Sequence, residues 1–302
     1  MLTIRRILCP VDFSDFSRPA LDLAFALAAR SGAEILALHV TAPSLPPAAA
    51  FPEVPAILTL DPMEMERLRA ELASFVAPSR TPDVPLRTVV AQGAPVTTIL
   101  LEAQALGADL IVMGTHGMGG FERWVLGSVA EKVLRKAPCP VLTVARAGQE
   151  PLAIDPSRFT EVLCAVDLSE SSKETLADAV SMAQAAGAHL TLLHVLEDTA
   201  QGEAAVADAG LDLSAYRAER CQETRWRLRA LAKDVDCVHD EIVKTGTPYR
   251  EILALAEQRG AGLVVVGVHG SRLADLFHFG STAHHHVVRG AECPVLTVRA
   301  PR

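Results

Sequence analysis

Two long segments of the chain carry the same series of short motifs in the same order. The last pair is identical over six residues, Cys-Pro-Val-Leu-Thr-Val. Each copy is far longer than the roughly 20 to 50 residues of a solenoid repeat, so the chain is a tandem duplication of one domain. The matched segments are residues 7–12 with 162–167, 35–40 with 190–195, 93–95 with 246–248, 108–114 with 261–267, and 139–144 with 293–298.

The two copies meet where the apolar pattern stops. Gly148, Pro151 and Pro156 interrupt that pattern and are typical of an exposed connector. A chain of 302 residues is long enough for two domains of ordinary size. We predict a first domain over residues 1–146, a linker over 147–158 and a second domain over 159–302.

Short apolar runs alternate with longer amphipathic segments in each copy. Leu110–Met113 and Leu263–Val266 are continuously apolar, as parallel strands are when helices cover both faces of the sheet. Leu21, Ala24 and Ala28 recur at helical spacing. These patterns predict an α/β fold of two tandem, Rossmann-like, doubly wound domains, each with a five-stranded parallel sheet and helices on both faces.

Charge and composition exclude several kinds of protein. The net charge of −8 argues against binding to nucleic acid or to an anionic membrane surface. Prolines interrupt the longest uncharged stretch, residues 35–52, and no secretory apolar run follows Arg5 and Arg6. We therefore expect a cytoplasmic protein without a transmembrane helix. The six cysteines form no C-x-x-C pair and are interpreted as small buried residues.

A glycine pattern follows the fourth predicted strand of each copy. Glycines let a loop backbone approach a ligand closely, and a helix N-terminus offers unpaired amides and the positive end of its dipole. The pattern therefore predicts a phosphate-binding loop in both copies, with the serine as the helix N-cap. It consists of a G-x-x-G, nine residues and Gly-Ser, at Gly114, Gly117, Gly127 and Ser128 and again at Gly267, Gly270, Gly280 and Ser281.

With this pattern present twice, in register with a domain duplication, the sequence resembles the ATP-binding branch of the universal stress protein family in its tandem form. The resemblance covers nearly the whole chain and implies that each domain binds ATP, with or without Mg²⁺. It places Asp12 and Asp167 at the ribose side and the backbone groups of Val40 and Val195 at adenine. The glycine-serine residues of each copy would cradle the phosphates.

The resemblance also implies a role and a mode of association. The protein would act in stress adaptation as a nucleotide-dependent sensor or regulator of a protein partner that the sequence does not name. Family dimers form through the last strand, here Val141–Val144 and Val295–Val298. The two domains would then pair within one chain as a pseudo-dimer, and association of two chains into a homodimer stays open.

Two alternatives to an ATP-binding regulator stay open. One is a chaperone-like interaction protein whose second domain binds no nucleotide and whose ligand is either a metal, held through its histidines, or a protein surface. The other is an enzyme with weak ATP hydrolysis. We predict no catalytic residue, because the sequence shows no general base, metal cluster or acceptor site. A P-loop and a dinucleotide-binding G-x-G-x-x-G after a first strand are also missing.

The histidines are candidates for metal binding. His284, His285 and His286 follow Gly280-Ser281 with one residue more than the first copy has, which predicts a π-bulge. Zinc bound by one or two of these rings, together with His278 or a residue from elsewhere, is weighed against a solvated polar helix face. His39 and His194, at matching positions of the second strands, fit either packing or binding, as do His116 and His269 between the paired glycines.

The two glycine loops differ in composition. The first, residues 118–126, contains Gly119, Gly120 and Arg123. The second, residues 271–279, has Arg272 but no internal glycine, and it carries Asp275 and several bulky side chains. We therefore predict tighter nucleotide binding by the first domain.

Overall fold

The structure, a computed structural model, describes residues 2–41, 62–115, 126–144, 159–197, 208–210, 212–268 and 280–299. The chain divides into two compact units. The N-terminal unit is Ile4–Ile154, and the C-terminal unit is Asp155–Arg302 together with Met1–Thr3. The predicted linker, residues 147–158, lies outside the described residues. Among the helices of the described ranges, none combines the length and the apolar character that a membrane crossing requires.

The N-terminal unit is a parallel sheet of five strands in the order β3-β2-β1-β4-β5. Helix α1 packs on β1 and β4, while α3 packs on β1, β2 and α4. The strands are β1 (Arg6–Pro10), β2 (Glu34–Thr41), β3 (Leu86–Gln92), β4 (Leu110–Gly114) and β5 (Val141–Val144), and the helices are α1 (Ser17–Ser31), α2 (Pro62–Val76), α3 (Pro95–Leu106) and α4 (Ser128–Lys136), with a 3-10 turn at Ala77–Ser79.

The C-terminal unit repeats this arrangement, with five parallel strands in the order β8-β7-β6-β9-β10. Helix α5 packs on β6, β9 and β10, while α7 packs on β6, β7 and α8. The strands are β6 (Glu161–Ala165), β7 (His189–Leu196), β8 (His239–Thr245), β9 (Leu263–Val268) and β10 (Val295–Arg299), and the helices are α5 (Ser172–Ala186), α6 (Leu213–Ala232), α7 (Pro248–Arg259) and α8 (Gly280–Gly290).

The core of each unit lies on both faces of its central strands. Every residue of β4 is buried, and so are the first four residues of β9. Helices cover both faces, so these strands are apolar without alternation, and the predicted doubly wound parallel fold is confirmed. α1 and α5 each end at a left-handed glycine, Gly32 and Gly187, with φ of 70° and 66°.

The strand order reverses between β1 and β4 in one unit and between β6 and β9 in the other. On either side of this point the connections leave the sheet toward opposite faces. A crevice therefore opens beyond the carboxyl ends of the two strands, which is where doubly wound domains bind ligands.

Candidate functional site

Asp12 follows β1 at the reversal point, and two serines hold its carboxylate. Its Oδ1 atom accepts hydrogen bonds from the Ser14 N–H at 3.1 Å, the Ser14 hydroxyl at 2.5 Å and the Ser17 hydroxyl at 2.6 Å. The Asp12 N–H donates to Ser17 Oγ at 3.2 Å. Among the described residues no hydrogen bond reaches Oδ2, so the carboxylate is fixed through one oxygen and offers the other.

Asp167 holds the matching position after β6. Its Oδ1 atom accepts from the Ser169 N–H at 3.0 Å and from the Ser172 hydroxyl at 2.9 Å. The sequence analysis missed these serines as parts of the site. Their signal is an Asp-x-Ser-x-x-Ser motif that recurs at residues 12–17 and 167–172.

The residue after each aspartate has a left-handed backbone. Phe13 has φ of 63° and Leu168 has φ of 61°, which costs a non-glycine residue about 1–2 kcal/mol. The Phe13 ring stacks on the His39 ring with 4.3 Å between centroids and meets Phe75 edge-on at 5.7 Å. The Leu168 carbonyl accepts from Arg227 Nη2 at 3.4 Å. Different neighbours therefore support the same turn in the two units.

The end of β2 presents peptide groups to the crevice. The Leu38 carbonyl accepts from the Val11 N–H at 2.8 Å, toward β1, and the Thr41 carbonyl accepts from the Gly93 N–H at 3.0 Å, beyond the end of β3. In a strand, the N–H and C=O of one residue point to the same side, and those of the next residue point to the opposite side. Val40, two residues after Leu38, therefore directs its N–H and C=O toward the β1 side. Because β1 has already ended there, these two groups face the crevice.

The end of β7 has the same geometry. The Leu193 carbonyl accepts from the Val166 N–H at 2.9 Å, and the Leu196 carbonyl accepts from the Gly246 N–H at 2.9 Å. The N–H and C=O of Val195 consequently face the crevice above β6.

A histidine precedes each of these valines. His39 Nδ1 lies 2.8 Å from the Val11 carbonyl oxygen, and His194 Nδ1 lies 2.8 Å from the Val166 carbonyl oxygen. Since a carbonyl can only accept, Nδ1 carries the proton in both rings. Burial lowers the pKa of His194 below its ordinary value, so this ring is neutral at neutral pH.

The glycines that close β4 and β9 are required by packing. A Cβ on Gly114 would lie 2.7 Å from the Phe16 carbonyl oxygen, and a Cβ on Gly267 would lie 2.7 Å from Thr175 Oγ1. Both distances are shorter than real Cβ contacts. Each glycine therefore lets the start of α1 or α5 approach the strand end that borders the crevice.

Helix α4 begins on the other side of the crevice, after Gly127. The Gly127 N–H donates to the Thr115 carbonyl at 2.8 Å, and its carbonyl accepts from the Glu131 N–H at 2.9 Å. Gly127 is thus the N-cap, and Ser128 is an exposed first helical residue. The N–H groups of this first turn have no partner within the helix, as at every helix start.

The prediction that Ser128 and Ser281 are N-caps was wrong. Gly127 adopts the extended backbone of an N-cap, with φ of −59° and ψ of 138°, and no side chain caps the helix. Helix α4 therefore starts one residue earlier than predicted, and Ser281 likewise lies within α8.

Several predicted site residues lie outside the described residues, in the segments 116–125 and 269–279. They include Gly117 and Gly270, all of the first glycine loop except Leu126, the whole second loop, and the histidines His116, His269 and His278.

The described histidines of α8 pack against aromatic neighbours. His284 is buried, its ring centroid 4.1 Å from that of His285, and His286 stacks on Tyr249 at 4.6 Å. The interpretation as a solvated helix face was therefore wrong for His284, whereas His285 and His286 are partly exposed. Within the described ranges, no group of three or more His, Cys, Asp or Glu residues could hold a metal ion.

The predicted π-bulge was also wrong, because α8 is α-helical throughout Gly280–Gly290. Its last turn matches that of α4, since the Ala291 N–H donates to the Val287 carbonyl as the Ala137 N–H does to Val133. The extra residue therefore lengthens the helix at its N-terminal end.

A carboxylate held by serines, a pair of strand-end peptide groups and a helix N-terminus surround the N-terminal crevice. The first two features recur in the C-terminal unit. Together they define a doubly wound α/β domain with a ligand crevice at its topological switch point, present twice in one chain.

Comparison with known proteins identifies the family. The model of the universal stress protein family matches residues 3–145 and again residues 158–299, so the chain belongs to this family. Universal stress protein MJ0531 of Methanocaldococcus jannaschii is 34% identical over 146 residues, which are 48% of this chain and 85% of that protein.

A solved structure shows the same architecture. A universal stress protein from Archaeoglobus fulgidus covers 98% of this chain and 96% of its own, with a TM-score of 0.67 and 22% identity, which is a likeness of fold. A universal stress protein solved in complex with cAMP covers 47% of this chain and 98% of its own, with a TM-score of 0.36 and 23% identity.

Proposed function

We propose that each unit binds an adenine nucleotide, ATP, in its crevice, and that occupancy serves as a signal in stress adaptation. The observation that carries this proposal is the repeated pair of polar groups at the switch point. In both units a carboxylate anchored through Oδ1 follows the first strand, and a valine peptide at the end of the second strand faces the same crevice.

The anchored carboxylate suits the ribose. Because Ser14 and Ser17 occupy Oδ1 of Asp12, the remaining oxygen is oriented before a ligand arrives. A ribose presents two neighbouring hydroxyl donors, and a fixed carboxylate oxygen accepts them without losing side-chain entropy. Asp167 is anchored through Oδ1 in the same way in the C-terminal unit.

The valine peptide groups suit adenine. The Watson–Crick edge of adenine places an amino donor beside a ring-nitrogen acceptor. One residue that offers both its C=O and its N–H, as Val40 and Val195 do, pairs with that edge. Guanine has a carbonyl and a ring N–H at the same two places, so this geometry favours adenine.

The phosphates would lie at the N-termini of α4 and α8. The amides of a helix's first turn and the positive end of its dipole attract anions without needing a lysine or arginine. This is how an acidic chain can hold a polyphosphate. Gly127 and Ser128, with their counterparts Gly280 and Ser281, would provide these amides, together with the glycines of the preceding loops.

Nucleotide occupancy would act by shifting the population of conformers that a protein partner recognises. The site as described contains no paired nucleophile and base, so we propose binding rather than turnover as the function.

The test is calorimetric titration of ATP into full-length protein purified without nucleotide, with Asp12→Asn, Asp167→Asn and the double variant. Asparagine keeps Oδ1 as the acceptor for the serines, because the Ser14 or Ser169 N–H requires an acceptor there. Its amide nitrogen, which only donates, then replaces the outward carboxylate oxygen. We expect two equivalents in the unmodified protein and one high-affinity site in each single variant. Affinity at the altered site should fall roughly ten- to hundredfold.

The matched control is Asp83→Asn, an exposed aspartate shortly before β3 at the amino ends of the strands. It should leave both sites unchanged. ATP binding that is absent from the unmodified protein, or undiminished in the double variant, would overturn the proposal.

A further inference from the structure

We infer that His39 and His194 are positioning residues of the nucleotide site, which keep the peptide N–H of the following valine available for the base. This inference rests on the proposed function. It concerns two rings whose Nδ1 atoms bond to the main chain at the same point of both units.

The ladder of backbone hydrogen bonds between β1 and β2 ends before β2 does. Regular pairing stops at Pro10 and Leu38, followed by one more bond from the Val11 N–H to the Leu38 carbonyl. If the parallel ladder continued, the next bond would run from the Val40 N–H to the Val11 carbonyl. That bond would consume the N–H that is proposed to pair with adenine.

The His39 ring takes this acceptor instead. Its Nδ1–H donates to the Val11 carbonyl at 2.8 Å, so the carbonyl is satisfied without the Val40 amide. The carbonyl of a buried residue such as Val11 needs a donor, and the side chain of His39, next to Val40, supplies it. The ring thereby ends the ladder one bond early and still ties the two strand ends together.

In the C-terminal unit a histidine side chain ends the strand pairing in the same way. Pairing of β6 with β7 stops at Ala165 and Leu193, and the His194 ring donates to the Val166 carbonyl at 2.8 Å. The Val195 N–H is the group that the continued ladder would have used.

The surroundings of the two rings differ while the bond is the same. His39 stacks on Phe13, whereas Arg227 approaches the loop beside His194. Shared packing therefore does not explain the identical hydrogen bond. The same link also fixes the spacing between the ribose and base groups, because Val11 directly precedes Asp12 and His39 directly precedes Val40.

The experiment compares two double variants of the full-length protein. His39→Leu/His194→Leu removes the donor and keeps an apolar side chain. His39→Asn/His194→Asn keeps a donor, because the asparagine amide nitrogen occupies the place of the imidazole Nδ1. The measurements are ATP affinity by calorimetry and amide hydrogen exchange of Val40 and Val195 in the nucleotide-free protein by NMR.

We expect the leucine variant to bind ATP about three- to tenfold more weakly, the effect of one lost hydrogen bond. Its Val40 and Val195 amides should gain protection as they extend the ladder. The asparagine variant should recover most of the affinity and keep these amides unprotected. If the two rings had only a structural role, ATP affinity in both variants would fall in proportion to the decrease in melting temperature.

Unchanged ATP affinity in the leucine variant, or an equal loss in both variants, would overturn the inference and leave the proposed function standing. Failure of the unmodified protein to bind ATP would overturn the proposed function and, with it, the role for a base. The exchange data would still show whether the ring controls the valine amide.

Discussion

Replacing Gly114 by alanine should destabilise the N-terminal unit much more than the matching change Gly267→Ala destabilises the C-terminal one. The added Cβ at Gly114 would lie 2.7 Å from the Phe16 carbonyl oxygen and 3.0 Å from its carbon. These are backbone atoms immediately before α1, so relief requires the chain that carries Asp12 to move. The added Cβ at Gly267 meets only a hydroxyl at 2.7 Å, that of Thr175.

The magnitude follows from these neighbours. Forcing a methyl group against fixed atoms in a packed core costs about 1–3 kcal/mol, and loss of glycine's freedom in the unfolded chain returns about 0.4–1 kcal/mol. We expect Gly114→Ala to lower stability by about 2 kcal/mol. At Gly267 the Thr175 hydroxyl can rotate away from the methyl group, losing its 3.2 Å bond to the Ser171 carbonyl, so the net change should stay within about 1 kcal/mol.

Differential scanning calorimetry of the full-length variants measures this difference. A domain of this size loses about 2–4 °C of melting temperature per kcal/mol, so Gly114→Ala should shift its transition by about 4–8 °C. Adding Thr175→Ala to Gly267→Ala should remove the remaining cost at that position. Equal shifts for the two alanine variants, or a larger shift for Gly267→Ala, would refute the reasoning.

Two further predictions concern titratable groups. Burial raises the pKa of Cys9 to about 12 and also raises that of Cys164, so iodoacetamide at pH 8 should modify neither thiol in the folded protein. The partly exposed Cys221 serves as the reactive comparison, and labelling of Cys9 or Cys164 before denaturation would contradict the prediction. Burial also lowers the pKa of His194 from its usual 6.5, so the unfolded chain binds this proton more tightly. Stability from this group should be present above pH 6.5 and decline as the pH falls below that value, and His194→Asn should flatten the dependence measured by urea unfolding.

Much of the fold could be predicted because it depends on local patterns. Uninterrupted apolar runs such as Leu110–Met113 mark strands covered on both faces, and the recurrence of every motif marks the second unit. The positions of Asp12 and Val40 at strand ends follow from the same runs. The start of helix α4 could not be predicted as well, because Gly127 and Ser128 both suit an N-cap. The backbone conformation of the folded chain determines which of them is the cap.

The sequence by itself determined that the chain folds as two doubly wound units, and it identified the strand ends that border each crevice, because chain-local periodicity and repetition encode both. Only the tertiary structure decided that β1 stops before the end of β2, and that a histidine ring takes the carbonyl which the ladder would have used. It also decided that Gly114 faces backbone while Gly267 faces a hydroxyl. These relations join residues distant in sequence, and they depend on relative strand lengths and helix positions that no single segment encodes.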